Sequence, residues 1–233
     1  CSDVKMCWGT CLNINPLRVE FNPAGMTHDD MANLAKTLRK ILGKSVYAEI
    51  WSKAKCTRLD ATIDVFGCAP DYIVATAKGC KEQTVQLDGK GRQKSRKYGS
   101  PKSGLSLSIY NKSKAKQLIT RVELRIKPGK LMRNNLPLGL MNLTTVIAEN
   151  PFYKIKIFLA EFANDVRFAP GFYDCVQNRG LTPAINHYSL RDKALADGYM
   201  NMLLDEYQLK PYDPRDIWKG IIKIMDIFSA FAS

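Results

Sequence analysis

Three stretches of this chain alternate so regularly that they point to one architecture, a sheet with one apolar and one polar face. In "RLDATID" (58–64) Arg58, Asp60, Thr62 and Asp64 fall on one side of an extended strand, and Leu59, Ala61 and Ile63 on the other, because successive side chains point to opposite faces. "GLSLSIY" (104–110) sets Ser106, Ser108 and Tyr110 against Leu105, Leu107 and Ile109. "RVELRIK" (121–127) sets Arg121, Glu123, Arg125 and Lys127 against Val122, Leu124 and Ile126. Such a pattern suits an antiparallel sheet covered on one side and wet on the other. If the three polar faces coincide, two Asp, one Glu, several cations and a tyrosine hydroxyl share one surface.

The remaining segments are read around that sheet. "LRVEF" (17–21) predicts a first strand, closed by the turn signal "NPAG". A helix follows from Thr27, its N-cap, to Leu42, with Met31, Leu34, Ala35, Leu38, Ile41 and Leu42 as its stripe and Gly43 at its stop. "SVYAEIW" (45–51) and "TRLDATIDVFG" (57–67) predict a pair of strands, and "EQTVQLD" (82–88) another. A basic loop, 89–104, leads to the strand that carries Tyr110. Helical periodicity follows at 138–148, 152–163, 189–206 (capped by Ser189) and 214–231. The expected class is α+β: a central antiparallel β-sheet with helices packed on one face, then a helical C-terminal lobe. The break near "KPGKLMRNNLP" divides the chain into 1–133, with the sheet, and 134–233, a helical region packed on or completing the same domain.

Charge narrows the partners. Between Lys90 and Lys130 there are 13 Lys or Arg and one acid, Glu123, which accounts for nearly all of the net charge of +13. A cluster of this kind attracts a polyanion and gains affinity by releasing its counterions; a solvated loop without a partner is the other reading. Nothing approaches the length of a membrane span: "IIKIMDIFSAFAS" is short and carries Lys223 and Asp226. The 7 cysteines (Cys1, Cys7, Cys11, Cys56, Cys68, Cys80 and Cys175) are an odd number, as expected of reduced thiols in a cytoplasm. Zinc at Cys7 and Cys11 is the sharper alternative, but neither His28 nor His187 stands at ligand spacing to them.

The polar set suits phosphodiester transfer. Hard carboxylate oxygens can bind Mg²⁺ or Mn²⁺, a tyrosine can attack phosphorus and conserve the broken bond as a covalent link, and Arg or Lys can hold the phosphate. Polar side chains on a wet sheet face, with a tyrosine packed among them, are the plain alternative.

"RLDATID", "YGSPKSGLSLSIYNK" and "RVEL", in that order, resemble the replication initiation factor (Rep_trans-type) family of rolling-circle plasmids and filamentous phages. The likeness runs from about Leu17 to Lys127, and "GLTPAINHYSL" is similar to the family's C-terminal region. It implies an HUH-like fold and a DNA-nicking enzyme. The family's nucleophile maps onto Tyr110, with Lys112 and Arg121 beside it in catalysis; Lys112 would either lower the tyrosine pKa or bind phosphate. The acidic metal site maps onto Asp60, Asp64 and Glu123, with Mg²⁺ or Mn²⁺ as the cofactor and the direct ligands among the three left open. Arg92, Lys94, Arg96, Lys97, Lys102, Lys114 and Arg125 would hold the DNA backbone. Tyr98, Ser100 and Ser103 match the turn before the strand, and Tyr98 would either stack on a base or pack locally. Where the family carries Arg two residues before its tyrosine, this chain has Ser108.

The partners so implied are a replication origin, single-stranded or extruded as a hairpin, and a host helicase and polymerase, in a bacterial cytoplasm and without a membrane. A DNA-binding replication or repressor protein that does not cut is the second function carried forward. A third feature is the C-terminal amphipathic segment with Ile217, Ile221, Ile224, Met225 and Phe228. It is either core-facing or a surface for a homodimer or an acidic partner.

Overall fold

A computed structural model describes residues 4–8, 17–20, 22, 25–54, 56–77, 83–87, 89–90, 93–100, 102–113, 117–128, 150–209 and 213–226. They form two compact units. The larger comprises described residues between Thr57 and Leu136 and between Glu149 and Ile217; the smaller, those up to Cys56 and from Trp218 onward. This grouping does not follow a single cut near residue 133. Arg92, Lys114 and the expected helix 138–148 lie outside the described residues, as does the end of the segment 214–231.

In the smaller unit, β1 (Lys5–Trp8) pairs antiparallel with β2 (Leu17–Glu20). Helix α1 (His28–Leu42) starts at the expected cap. Asp30 N donates to Thr27 Oγ1 (3.1 Å) and Thr27 N to Asp30 Oδ2 (2.9 Å), a reciprocal capping box worth about 1 kcal/mol. It ends at Gly43, where φ is +80°. The segment 45–51 is not a strand but lies in a second helix, α2 (Lys44–Lys53). Tyr47 is buried with Met31, Ala35 and Leu38, and Trp51 stacks on it with ring centroids 6.2 Å apart. Two rings four residues apart meet at that distance on a helix, whereas a strand separates them by about 13 Å. The alternation of Val46, Ala48 and Ile50 misled because it belongs to largely exposed positions.

The larger unit holds a five-stranded antiparallel sheet in the order β3-β8-β7-β6-β5. Its strands are β3 (Leu59–Phe66), β5 (Gln83–Leu87), β6 (Gln93–Tyr98), β7 (Leu105–Asn111) and β8 (Ile119–Ile126), and β4 (Ile73–Ala77) stands apart from it. The expected apolar face exists: Leu107, Ile109, Val122, Leu124 and Ile126 are all buried. Each contributes about 1.5–3 kcal/mol by leaving water. The basic loop is corrected, since 93–98 forms β6 between β5 and β7.

The segment 152–163 is corrected too. Phe152, Ile155, Leu159 and Phe162 have helical spacing, but residues 155–159 form β9 (Ile155–Leu159), paired with β4. Ile157 and Phe158 are adjacent and both fully buried, the mark of a strand covered on two sides. On one side Ala75 N donates to the Tyr98 hydroxyl of β6 (3.3 Å). On the other, Val74 and Phe158 join a core with α3 (Phe172–Arg179), α4 (Leu181–Tyr188) and α5 (Lys193–Met202). Ser189 closes α4 and does not open α5, whose N-cap is Asp192, accepting from Ala194 N (2.8 Å) and Leu195 N (3.2 Å). The last described helix is α6 (Pro214–Asp226). Among the described residues no helix is long and apolar enough to cross a membrane.

Candidate active site

The three alternating strands meet as their patterns require. β3 pairs with β8, and β8 with β7, in a register that lines up Asp64, Arg121 and Tyr110 in one row across the sheet. The next row is Thr62, Glu123, Ser108 and Lys97, and the one after is Asp60, Arg125 and Ser106. Directly opposed residues share a face, so the chemistry-bearing side chains form a lattice on the polar side. Lys112 follows the end of β7; its amide donates to Ile119 O (2.8 Å) and its ammonium lies 3.9 Å from Asp64 Oδ2.

Tyr110 is half-buried, and its hydroxyl donates to Glu123 Oε2 at 3.0 Å. Burial pushes its pKa up, the Glu123 carboxylate adds to that, and the Arg121 guanidinium works the other way. At neutral pH the phenol keeps its proton and points it at a carboxylate.

Arg121 binds Asp64 through two bonds, Nε to Oδ1 (2.6 Å) and Nη2 to Oδ2 (2.7 Å). This side-on geometry fixes the plane of the guanidinium and holds the Asp64 carboxyl below its usual range. Arg125 donates to Glu123 Oε1 (3.0 Å) and reaches Asp60 Oδ1 (3.4 Å), while Arg58, just before β3, also binds Asp60.

The three acids assigned to metal share this face but do not converge. Asp60 and Asp64 stand four residues apart on β3, about 13 Å of strand rise, whereas Mg²⁺ ligands lie about 2.0–2.1 Å from the ion. Glu123 stands opposite Thr62, in the row between them. Each carboxylate is engaged by an arginine, and among the described residues no three metal-ligating side chains come together. The arrangement therefore does not fit a three-carboxylate Mg²⁺ or Mn²⁺ site.

The residues assigned to DNA divide by face. Lys97 and Arg125 lie on the polar side with Tyr110. Lys94 is exposed, at the β5–β6 register irregularity, and Lys102 is exposed in the turn after β6. Arg96 and Tyr98 belong to the other face: they are opposite Ile109 and Leu107 and are 1% and 5% exposed. Arg96 Nη2 donates to Gln177 of α3 and the Tyr98 hydroxyl takes the Ala75 amide, so both act in packing, not on a nucleic-acid backbone or base. Ser100 and Ser103 shape the turn. Ser103 N donates to Ser100 O (2.9 Å), and Ser103 Oγ donates to Leu105 O (2.6 Å). Sequence reasoning missed that Lys97 shares the row of Glu123. The alternation of Ser95 and Lys97 against Arg96 and Tyr98 was the available signal, masked by the run of charge.

No protein-family profile and no curated protein matches the chain.

Proposed function

We propose that this chain is a DNA nicking and joining enzyme that initiates rolling-circle replication, built on an HUH-like sheet. The reading is supported most by one contact, the Tyr110 hydroxyl donating to Glu123 Oε2 at 3.0 Å in a row flanked by Arg121. A phenol with a raised pKa is a poor nucleophile alone, and a carboxylate within hydrogen-bond reach can take its proton as the bond to phosphorus forms.

In this mechanism Tyr110 Oη attacks the scissile phosphorus and its proton passes to Glu123. The bond from phosphorus to the departing 3′-oxygen breaks, and the proton held on Glu123 or one from water restores the 3′-hydroxyl. A 5′-phosphotyrosine link remains, and reversing the steps rejoins the strand. Arg121, oriented by Asp64, and Lys112 and Arg125 stabilise the charge gathering on the non-bridging oxygens. The substrate is single-stranded or extruded origin DNA, the free 3′-hydroxyl serves a host polymerase, and the setting is a bacterial cytoplasm.

The test is incubation with supercoiled DNA of the protein's own replicon, with and without Mg²⁺ or Mn²⁺ and chelator, followed by denaturing gels and mapping of DNA-linked peptide. The expected result is an adduct on Tyr110 that disappears in Tyr110→Phe while DNA binding persists. A second reading, a DNA-binding protein that does not cut, is favoured by the closed pairing of Asp64 with Arg121. Tight binding without any adduct under every metal condition would establish it in place of the first.

A further inference from the structure

We propose that the cavity at the end of β3 is a nucleobase site, in which Phe66 stacks against an unpaired base of single-stranded DNA whose phosphate lies on the Tyr110 row. The cavity, of about 570 Å³, lies at the free edge of β3 and takes in both its faces, Asp64 and Phe66 of the polar parity and Ile63 and Val65 of the other, with Tyr72, Leu118 and Glu161 around them. Phe66, Tyr72 and Leu118 are 62%, 61% and 42% exposed, so a set of large apolar groups is left in water around one concavity.

Phe66 has the pleat parity of Asp64 and lies opposite Ile119, one paired row along from Asp64 and Arg121. It therefore stands on the polar face, about 6.6 Å of strand rise from the row of the nucleophile and one strand across from Arg121, a spacing that spans a phosphate on Arg121 and its own base, with Tyr110 one strand further away.

The chain that leaves β3 at the cavity is fixed by hydrogen bonds to the neighbouring strand. Gly67, at φ +72°, turns the chain out of β3 while its amide donates to Leu118 O (2.9 Å), and Thr120 Oγ1 donates to Cys68 O (2.6 Å).

The occupant follows from what borders it. Asp64 belongs both to the cavity lining and to the lattice that carries Arg121 and Lys112, so an apolar surface and a phosphate-holding surface are continuous. A ligand with a flat aromatic face joined to an anionic backbone matches both, and base-on-aromatic stacking is tolerant of sequence. Glu161, on the lining, supplies a carboxylate acceptor for an exocyclic amine. The inference rests on the proposed DNA-processing function but concerns binding, and can be tested apart from cutting.

The experiment compares a fluorescent single-stranded DNA 12-mer with an abasic sugar-phosphate oligomer of equal length, by anisotropy, for wild type, Phe66→Ala, Phe66→Leu and Phe66→Trp, each checked by thermal unfolding. Phe66→Ala and Phe66→Leu are expected to weaken binding of the base-bearing oligomer about tenfold and leave the abasic oligomer unchanged, while Phe66→Trp keeps wild-type affinity. Equal binding by all four proteins, equal losses on both oligomers, or no binding of single strands by wild type would each overturn the proposal. Adduct formation at Tyr110 is scored separately. Phe66-dependent binding without adduct sinks the nicking mechanism and keeps the base site, and adduct with Phe66-independent binding does the reverse.

Discussion

Arg96 and Arg121 belong to the same sheet, yet they are opposite kinds of residue. Arg96 sits on the apolar side, 1% exposed, held by Gln177 and beside Tyr98. Arg121 sits on the wet side, bonded by two nitrogens to Asp64 and in the row of Tyr110. One guanidinium is part of the packing and the other is part of a polar lattice on the face of Tyr110. Pleat parity, not residue type or local charge density, decides which cation in a basic stretch lies on the wet face.

The largest expected effect that tests this contrast is on the wet side. Arg121→Ala should lower the rate of Tyr110 adduct formation by about 10²–10³-fold, the usual cost of removing one charge-stabilising donor. Its stability should fall by only about 1 kcal/mol, because the pair it breaks with Asp64 is partly solvated. Single-turnover nicking and urea unfolding on the same protein measure both. Equal effects on rate and stability would erase the distinction between the two arginines.

Arg96→Ala should show the converse. Truncating a fully buried side chain between the sheet and α3 should cost about 2–4 kcal/mol, read as a lower urea midpoint. The adduct rate per folded molecule should stay within about twofold of wild type, since Arg96 points away from the Tyr110 face. A rate loss as large as that of Arg121→Ala at full folding would mean that Arg96 serves the chemistry.

The legibility of the site follows the same parity. Where a strand alternates cleanly, as at Leu105 to Tyr110, a single period of two identifies both the covered face and the chemical one, and register does the rest. That is why the Asp64, Arg121 and Tyr110 row was readable. Strand β6 was not, because Arg96 places a charge on the apolar face and hides the alternation in a basic run. Strand β9 failed for another reason: with both faces covered it has no alternation, and Phe152, Ile155, Leu159 and Phe162 imitate a helix. The metal assignment came from the family resemblance, supported by carboxylates sharing a face. Sharing a face is a weaker condition than converging, and about 13 Å of strand separates Asp60 from Asp64.

A smaller effect is expected in acid. Asp64 is held below its usual pKa by Arg121, so its charged form is favoured in the folded state. Its contribution is complete above the unfolded value of about 4, and is lost as pH falls through the lower folded value. Asp165, lowered by Arg167 and Tyr207, behaves in the same sense. The urea midpoint should therefore begin to drop below about pH 5 and keep falling as the medium is made more acidic. Asp64→Asn should show a shallower drop, with the Asp165 contribution remaining. An unchanged slope in the variant would remove Asp64 from the account.

The smallest effect concerns Lys97, which sharpens the contrast within a single strand. It is exposed, opposite Ser108, and on the face of Tyr110, one residue from the buried Arg96. If that face carries the DNA backbone, Lys97→Ala removes one phosphate contact. Affinity should then fall severalfold at moderate salt, and the slope of log K against log salt should shrink by about 0.7–0.9. Lys193, exposed at the start of α5, carries the same charge far along the chain, and Lys193→Ala should leave the slope unchanged. The pair separates a contact from a net-charge effect, because both variants lower the protein charge by one. Equal slopes in the two variants would mean that the sheet face does not hold the backbone, and would count against DNA lying across Tyr110.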